Sequence, residues 1–370
     1  MITIIYSGLI ITIILFYGNN FNNLDIDLNF DDTNAFSYIE DQLNINTTHY
    51  RIPGTQGRED CAQYFISKFQ EIDPTYNYIL HNFTINSIEC QNVLFKFNDN
   101  NSKILILGAH YDSRARATKD SNYPNSPVPG ANDGASGSAV LIELARALYN
   151  RSTDLSVQIW FLFFDAEDQG YDQSYGINGW DWCEGSNKFV DEIENFYNLT
   201  HERIEAMILL DMVGGIGLKF IKEQYSTSSL LDELFETGRQ LGYESEFPIN
   251  AISQSITDDH VPFVNYGIPS ADLIINFWQN PNWPYHHTID DNLQNISNFS
   301  LEVTGRTVEQ FIYNNYMDPN DEYHGNYPWK GDLNLPDTTS LIIILTITVL
   351  IGIFSIMTLI LKKFKKKPET

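Results

Sequence analysis

The sequence predicts an α/β domain with a central mixed, mostly parallel β-sheet flanked by helices, followed by a C-terminal transmembrane helix. Short apolar runs, typical of strands buried on both faces, alternate with segments of helical periodicity. The 370 residues are 43% apolar and 14% aromatic, which is enough to bury a sizeable core. One long apolar run near the C-terminus carries no charge and predicts the membrane helix.

The predicted elements alternate along one domain, residues 30–315. Helical periodicity covers Thr33–Ile45, Arg58–Ile72, Ala135–Tyr149, Asn187–Tyr197, Ser229–Leu241 and Phe299–Tyr313. Strand-like apolar runs cover Val93–Phe97, Ile104–Leu107, Val157–Phe164, Ala206–Leu210 and Ala271–Phe277. Strands that alternate with helices favour a layered α/β architecture.

Both ends of the chain predict export and a membrane anchor. Residues 341–361 form the uncharged apolar run, and the lysine-rich tail 362–370 follows at once, which places that end in the cytoplasm. Residues 1–20 resemble a signal peptide or signal anchor. Residues 316–340 are rich in Pro, Asp, Asn and Gly and are predicted to be a linker. We expect a single-pass protein of the cell membrane with its folded domain outside.

The charge and the cysteines exclude two classes of protein. The chain has 48 acidic against 22 basic residues, a net charge of −26, so nucleic acid is excluded as a partner. An acidic surface suits cationic ligands such as free amino termini. The three cysteines lack the C-x-x-C spacing of a zinc-thiolate site. Cys61 and Cys90 are candidates for a disulfide, Cys183 is left single, and we expect all three to be structural.

Acidic residues and a histidine follow the predicted strands. His110 and Asp112 follow one strand, Glu167 and Asp168 follow the next, and Asp211 follows a third. Ligands of open α/β sheets bind outside the carboxyl ends of the strands, so these side chains should converge.

Two loops complete this set of candidate ligands. Asp133 precedes the helix that begins near Ala135, and His286 and His287 lie in a loop after the last strand. Imidazoles together with carboxylates suit zinc with an open coordination position. Beside such a ligand set, Glu167 is placed to act as a general base on metal-activated water.

These segments, over residues 33–315, resemble metallopeptidase family 28, the co-catalytic zinc aminopeptidases, to which the glutaminyl cyclases are related. The matching pieces are Arg51-Ile-Pro-Gly-Thr-Gln-Gly57, His110-Tyr-Asp112-Ser, Gly130-Ala-Asn-Asp133-Gly-Ala-Ser-Gly, Phe164-Asp165-Ala-Glu167-Asp168, Leu210-Asp211-Met, Asp258-Asp259-His260-Val-Pro-Phe and His287-Thr-Ile-Asp290-Asp291.

The resemblance implies a site for two zinc ions. His110 with Asp211 would hold one ion, Asp168 with His287 would hold the other, and Asp133 would bridge the two. The family usually has Glu where Asp168 stands, but Asp still offers carboxylate oxygens to zinc.

The resemblance also implies roles around the metal. Glu167 would be the catalytic base, and Asp112 would orient the imidazole of His110. Asp290 and Asp291 would similarly support the ligand histidine. The His-Thr-x-Asp-Asp register selects His287 as that ligand, and His286 is the fallback.

The implied function is that of a membrane-anchored zinc aminopeptidase acting on peptides with free N-termini. The alternative is a glutaminyl-peptide cyclotransferase with a single zinc ion, and a less favoured one is an inactive receptor-like domain. The presence of Glu167 and every implied ligand favours an enzyme. The Gly- and Trp-rich loop 169–185 is predicted to be a lid or specificity wall.

Overall fold

The computed structural model describes residues 27–45, 50–171, 176 and 178–317. The predicted signal segment 1–20, the membrane span 341–361 and the tail 362–370 lie outside these residues, as does the linker beyond residue 317. In the part of the chain that is described, no helix is both long and apolar enough to cross a bilayer.

The described residues form helices and strands in the predicted alternation. The helices are α1 (Asp32–Leu43), α2 (Gln56–Ile72), α3 (Ala135–Tyr149), α4 (Glu184–Asp191), α5 (Ser228–Gln240), α6 (His260–Tyr266) and α7 (Asn298–Tyr316). The strands are β1 (Tyr78–Ile85), β2 (Ile88–Phe97), β3 (Lys103–His110), β4 (Gln158–Phe164), β5 (Arg203–Asp211), β6 (Lys222–Glu223), β7 (Ser253–Gln254) and β8 (Ser270–Ile274).

Six of these strands form the central sheet, in the order β1-β2-β4-β3-β5-β8. Strands β4, β3, β5 and β8 run parallel, whereas β1 and β2 are an antiparallel hairpin at one edge. The mixed, mostly parallel sheet is therefore confirmed. Strand β1 was not predicted because, as an edge strand, it mixes exposed and buried positions instead of forming an apolar run.

Helices cover both faces of the sheet, which explains the continuous apolar strands. Alternate side chains of β4 enter opposite core clusters: Ile159, Phe161 and Phe163 enter the larger cluster, and Trp160, Leu162 and Phe164 enter the smaller one. The larger cluster includes residues of α1, α2, α3, α5 and α7, and the smaller one includes residues of α4 and α6.

Three details differ from the sequence predictions. The helix predicted over residues 187–197 is the shorter α4, followed by a 3₁₀ turn over Ile193–Asn195. Helix α6 was not predicted, because seven residues with a proline among them give no clear periodicity. The structure leaves the candidate disulfide unformed, since all three cysteines are buried free thiols.

Candidate metal centre and catalytic pocket

The sheet brings the predicted site residues together. His110 is the last residue of β3 and Asp211 the last residue of β5, while the segment that contains Glu167 and Asp168 follows β4 directly. Because β3, β4 and β5 are parallel, these carboxyl ends lie at the same edge of the sheet.

His110 and Asp211 form the first donor set with one oxygen of Asp133. The Nε2 atom of His110 lies 3.2 Å from Oδ1 of Asp211 and 3.1 Å from Oδ1 of Asp133. In a tetrahedral zinc site with bonds of about 2.0–2.1 Å, two donors lie about 3.3 Å apart. The spacing in this donor set fits a zinc ion, and it also fits direct hydrogen bonds between the groups.

Asp168 and His287 form the second donor set with the other oxygen of Asp133. The Nε2 atom of His287 lies 2.9 Å from Oδ1 of Asp168 and 3.6 Å from Oδ2 of Asp133. Asp133 therefore turns one carboxylate oxygen to each donor set, as the predicted bridging role requires.

His286 has different neighbours from His287. Its Nε2 atom is 3.9 Å from Oδ2 of Asp133, and its Nδ1 atom lies 2.6 Å from Nζ of Lys119. His287 contacts both Asp133 and Asp168, so the geometry favours it over the fallback ligand.

Asp112 lies behind both donor sets. One of its oxygens is 3.4 Å from Nδ1 of His110 and also accepts the backbone N–H of Glu167 at 3.0 Å. The other accepts the N–H of Asp168 at 3.2 Å and the side-chain amide of Gln169 at 2.8 Å. Asp112 thus contacts the imidazole, as the orienting role implied by the resemblance requires, and it also holds the turn after β4.

Asp291 supports a different ligand from the one that the sequence indicated. Its two oxygens accept the backbone N–H groups of Asn132 at 2.8 Å and Asp133 at 3.1 Å. It therefore holds the bridging carboxylate in place, whereas Asp290 is exposed. The sequence paired these acids with His287 because the residues are near neighbours along the chain.

Gly134 allows the turn that contains Asp133 to approach His110. A Cβ atom at this glycine would lie 2.5 Å from both Cε1 and Nε2 of the imidazole, closer than any side chain tolerates. Only glycine therefore lets the bridging acid reach its position.

Arg114 and Trp182 contact the residues of the second donor set. The sequence did not indicate this role of Arg114. The guanidinium donates to the backbone oxygens of Asp168 at 2.6 Å and Gly170 at 3.1 Å. It lies 4.8 Å from the ring of Trp182, which stacks on His287 at 5.9 Å with the rings nearly parallel. Trp182 belongs to the predicted wall loop, of which residues 172–175 and 177 lie outside the described residues.

Members of both donor sets line a pocket of about 260 Å³. Polar and apolar side chains share its lining, and Glu167 and Asp258 reach it beside the donor groups. The apolar lining residues are Trp182, Met212, Ile256, Ile274, Phe277 and Trp278. This volume is near the lower end of ligand pockets, so it suits a single terminal residue of a longer molecule.

Burial and neighbouring charges separate the pKa values of the two histidines. Burial alone would lower the pKa of His110, but hydrogen bonds to Asp112, Asp133 and Asp211 raise it well above its usual range. The pKa of His287 falls well below its usual range because the ring is buried and lies near the positive charge of Arg114. His287 is therefore neutral, the form in which a histidine binds a metal ion.

The acids of the pocket titrate unusually high, with Asp133 as an exception. Burial, followed by the negative charge of Asp258, raises the pKa of Glu167 well above its usual range. Burial likewise raises the pKa of Asp211 to about 6. Burial would raise the pKa of Asp133 too, but the hydrogen bond and charge of His110 lower it. A base with a raised pKa is suited to proton transfer near neutral pH.

Among the five donor residues, two have a buried carboxylate oxygen without a hydrogen-bond partner, and both belong to the second donor set. The two oxygens are Oδ2 of Asp133 and Oδ2 of Asp168. Unpartnered buried carboxylate oxygens are costly unless a cation or proton neutralises them. Together with the neutral imidazole of His287, they provide the nitrogen and oxygen donors that zinc prefers.

Comparisons with known proteins identify the family to which the chain belongs. The model of the family described as Peptidase family M28 matches residues 92–312. Aminopeptidase YwaD of Bacillus subtilis (strain 168) is 30% identical over 215 residues, which are 57% of this chain and 40% of that protein. The chain thus spans less than half of that relative. Glutaminyl-peptide cyclotransferase of Bos taurus is 25% identical over 71% of this chain and 77% of its own length.

Two solved structures share the fold over nearly their whole length. A Zn-dependent exopeptidase from Parabacteroides distasonis has a TM-score of 0.68 and 30% identity, covering 77% of this chain and 99% of that one. Bacteroides thetaiotaomicron glutaminyl cyclase bound to N-acetylhistamine also has a TM-score of 0.68, with 29% identity and coverage of 78% and 99%. The resemblance seen in the sequence is confirmed: the chain belongs to peptidase family M28.

Proposed function

We propose that this protein is a zinc-dependent glutaminyl-peptide cyclotransferase, which closes an N-terminal glutamine into a ring and releases ammonia. The observation that carries the proposal is the difference between the two donor sets. Both sets have close internal contacts, but only the His287 set has unpartnered carboxylate oxygens, so it is the set that best suits a single metal ion.

The His110 side has partners for its donor atoms without a metal. The Nδ1 atom of His110 faces Asp112, and its Nε2 atom faces Asp211 and one oxygen of Asp133. Each ring nitrogen of His110 therefore has a carboxylate within hydrogen-bonding distance. In this arrangement His110 is part of a hydrogen-bonded network that supports the pocket.

The His287 side provides the metal ligands. His287 with the unpartnered oxygens of Asp133 and Asp168 makes three protein ligands, the number that leaves an open position on a catalytic zinc. Zinc held there would act as a Lewis acid towards the side-chain amide carbonyl of the substrate. The choice of one ion revises the pair of zinc ions that the resemblance implied.

Glu167 moves the proton in this reaction. The α-amine nitrogen of the substrate bonds to the side-chain amide carbon, and the bond from that carbon to the amide nitrogen breaks. Glu167, which lines the pocket, takes a proton from the attacking amine and returns it to the leaving nitrogen, which departs as ammonia. The apolar side chains of Trp182 and Phe277 line the same pocket, where they can pack against the rest of the substrate.

The comparisons support this choice. The bovine relative, most of whose length the chain covers, is named as a cyclotransferase, and so is a solved structure that the chain covers at 99%. The aminopeptidase YwaD is matched over only 40% of its length.

An aminopeptidase is the second candidate, and the spacing of the first donor set favours it. Donor atoms of His110, Asp133 and Asp211 lie within 4.8 Å of one another, close enough to hold a second zinc ion. Asp133 would then be shared between two ions. Glu167 would take the proton of an attacking water and pass it to the leaving amine.

A panel of peptides with zinc-loaded protein separates the two reactions. Matched peptides that begin with Gln, Leu, Phe or Lys, with N-acetylated versions as controls, are followed by mass spectrometry. We expect loss of ammonia from the unblocked Gln peptide alone, and about one zinc per chain. Loss of whole N-terminal residues with two zinc ions would establish the aminopeptidase instead. No change in any peptide would favour a binding domain without activity.

We also propose that the enzyme acts outside the cell, held by residues 341–361 as a single-pass anchor with the tail 362–370 in the cytoplasm. The support is the uncharged apolar run and the lysines that follow it. The protein should stay in the membrane pellet under alkaline extraction. External protease should remove the domain from intact cells and leave the tail protected. Release of the whole chain by alkali would contradict the anchor.

A further inference from the structure

A second cluster of metal-binding groups includes Glu167, and the proposed reaction leaves its other two members unused. Donor atoms of Glu167, Cys183 and Asp258 lie within 4.8 Å of one another. All three residues are buried, with 8%, 1% and 3% of their surfaces exposed. We propose that they form an inhibitory site for a thiol-seeking divalent cation, either zinc in excess or cadmium.

The distance between thiol and carboxylate fits such an ion. The Sγ atom of Cys183 lies 3.4 Å from Oε1 of Glu167. Donors bound tetrahedrally at about 2.3 Å for sulfur and about 2.0 Å for oxygen are separated by about 3.5 Å. The backbone fixes this pair, because the N–H of Cys183 donates to the backbone oxygen of Glu167 at 3.1 Å.

Asp258 gives an independent indication of a cation. Its Oδ2 atom is buried and has no hydrogen-bond partner. The carboxyl group of Asp272 lies next to it, and both oxygens of Asp272 also lack a donor. Two ionised carboxylates cannot hydrogen-bond to each other, so this region needs either protons or a metal ion. Asp258 and Glu167 both line the pocket, so an ion that enters the pocket reaches them.

The ligand chemistry selects the ion. A thiolate beside two carboxylates favours zinc or cadmium over magnesium or calcium, which prefer oxygen ligands alone. The cluster shares no residue with the His287 donor set, so both sites can be filled together. The inhibitory effect rests on the proposed role of Glu167, because a carboxylate bound to a metal ion cannot accept the proton of the substrate. Cys183, expected from the sequence to be structural, becomes a ligand.

The test uses the full chain and cadmium alone, without substrate. Metal-free protein is titrated with cadmium, and the ultraviolet charge-transfer band of a cadmium–thiolate bond is recorded. We expect the band in the wild type and in Cys90→Ala, which removes another buried thiol, and no band in Cys183→Ala. Absence of the band from the wild type, or its persistence in Cys183→Ala, would overturn the site.

Misfolding of Cys183→Ala would also remove the band, so Asp258→Asn, which keeps the thiol, is a second test. It should weaken cadmium binding at least about tenfold, the loss typical of disturbing a metal site; unchanged affinity would overturn the site. Turnover of the zinc enzyme should fall with excess cadmium in the wild type and resist it in Cys183→Ala. A thiolate band without inhibition would refute the inhibitory role while leaving the proposed reaction standing.

Discussion

The two halves of the site, one for each donor set, differ in what holds their donor groups. On the His110 side, the imidazole and Asp211 are the last residues of two central strands, and they are hydrogen-bonded to each other. On the His287 side, the donors lie on loops, held by Arg114 and by the stacked ring of Trp182. The strand-end half has partners for its donor atoms, whereas the loop half has unpartnered oxygens. Under the proposed function, the loop half holds the metal ion and the strand-end half supports it.

The largest expected effect comes from replacing the histidine of each half in a separate variant. His287→Ala should lose its zinc and all turnover, because a ligand is gone. His110→Ala should still retain about one zinc per chain, although its turnover falls. Metal analysis after gel filtration gives the zinc content, and thermal unfolding checks that both variants are folded. Equal loss of zinc from both variants would remove the distinction between the halves and favour a two-zinc aminopeptidase.

The next effect concerns Glu167, which lies beside both halves and belongs to neither donor set. Glu167→Gln should lower kcat by about 10²–10⁴-fold, the usual contribution of a general base. Its zinc content should be unchanged, since the side chain is not a ligand of the catalytic zinc. Glu59→Gln, on the exposed face of α2, is the matched control and should behave as the wild type. Loss of zinc from Glu167→Gln would mean that the glutamate is a metal ligand.

The strand-end half could be read from the sequence, and the loop half only partly. His110 and Asp211 directly follow apolar runs, and the parallel sheet brings such positions together. Asp133 and His287 were found by their motifs, because their loops have no periodicity that predicts a position in space.

The contacts that hold the loops could not be read at all. Arg114 lies four residues after His110, yet it binds backbone oxygens of the segment after β4. Asp291 lies beside the histidine loop in sequence, yet it binds the turn before α3. Such contacts join segments that are distant in the chain, and a single sequence has no signal for them. The choice between one and two metal ions also depends on hydrogen bonds that only coordinates display.

A third, smaller effect tests how the bridging acid is held. Asp291→Asn should weaken zinc binding about 10–100-fold, as expected when a group that positions a ligand is changed. The reason is that Asn offers one oxygen where Asp291 accepts the N–H groups of Asn132 and Asp133 with two. Asp290→Asn is the matched control, since this neighbour is exposed. Competition with a chelator measures both affinities, and equal affinities would remove Asp291 from the support of the metal site.

The smallest effect concerns Glu223, which holds the segment on either side of Asp258. Glu223 accepts hydrogen bonds from Nε2 of His260 at 2.9 Å and from the N–H of Ile256 at 3.0 Å. Burial would raise the pKa of Glu223, but the hydrogen bond and charge of His260 lower it below its usual value of 4.5. A depressed carboxyl pKa stabilises the fold above the unfolded value, and this stabilisation disappears as the pH falls through the folded value.

Glu223→Gln should therefore lower the free energy of unfolding by about 1–3 kcal/mol at pH 7, the range for losing hydrogen bonds to a buried charge. The difference in free energy of unfolding between the wild type and this variant should narrow as the pH falls below about 4.5, because the carboxylate of Glu223 is then protonated in the wild type as well. Urea unfolding of both proteins at pH 7 and pH 4 measures this difference. Glu59→Gln, at an exposed position, is the control. The zinc content of Glu223→Gln should not change, since Glu223 is not one of the proposed zinc ligands. A difference that stays constant with pH would mean that Glu223 is uncharged in the fold.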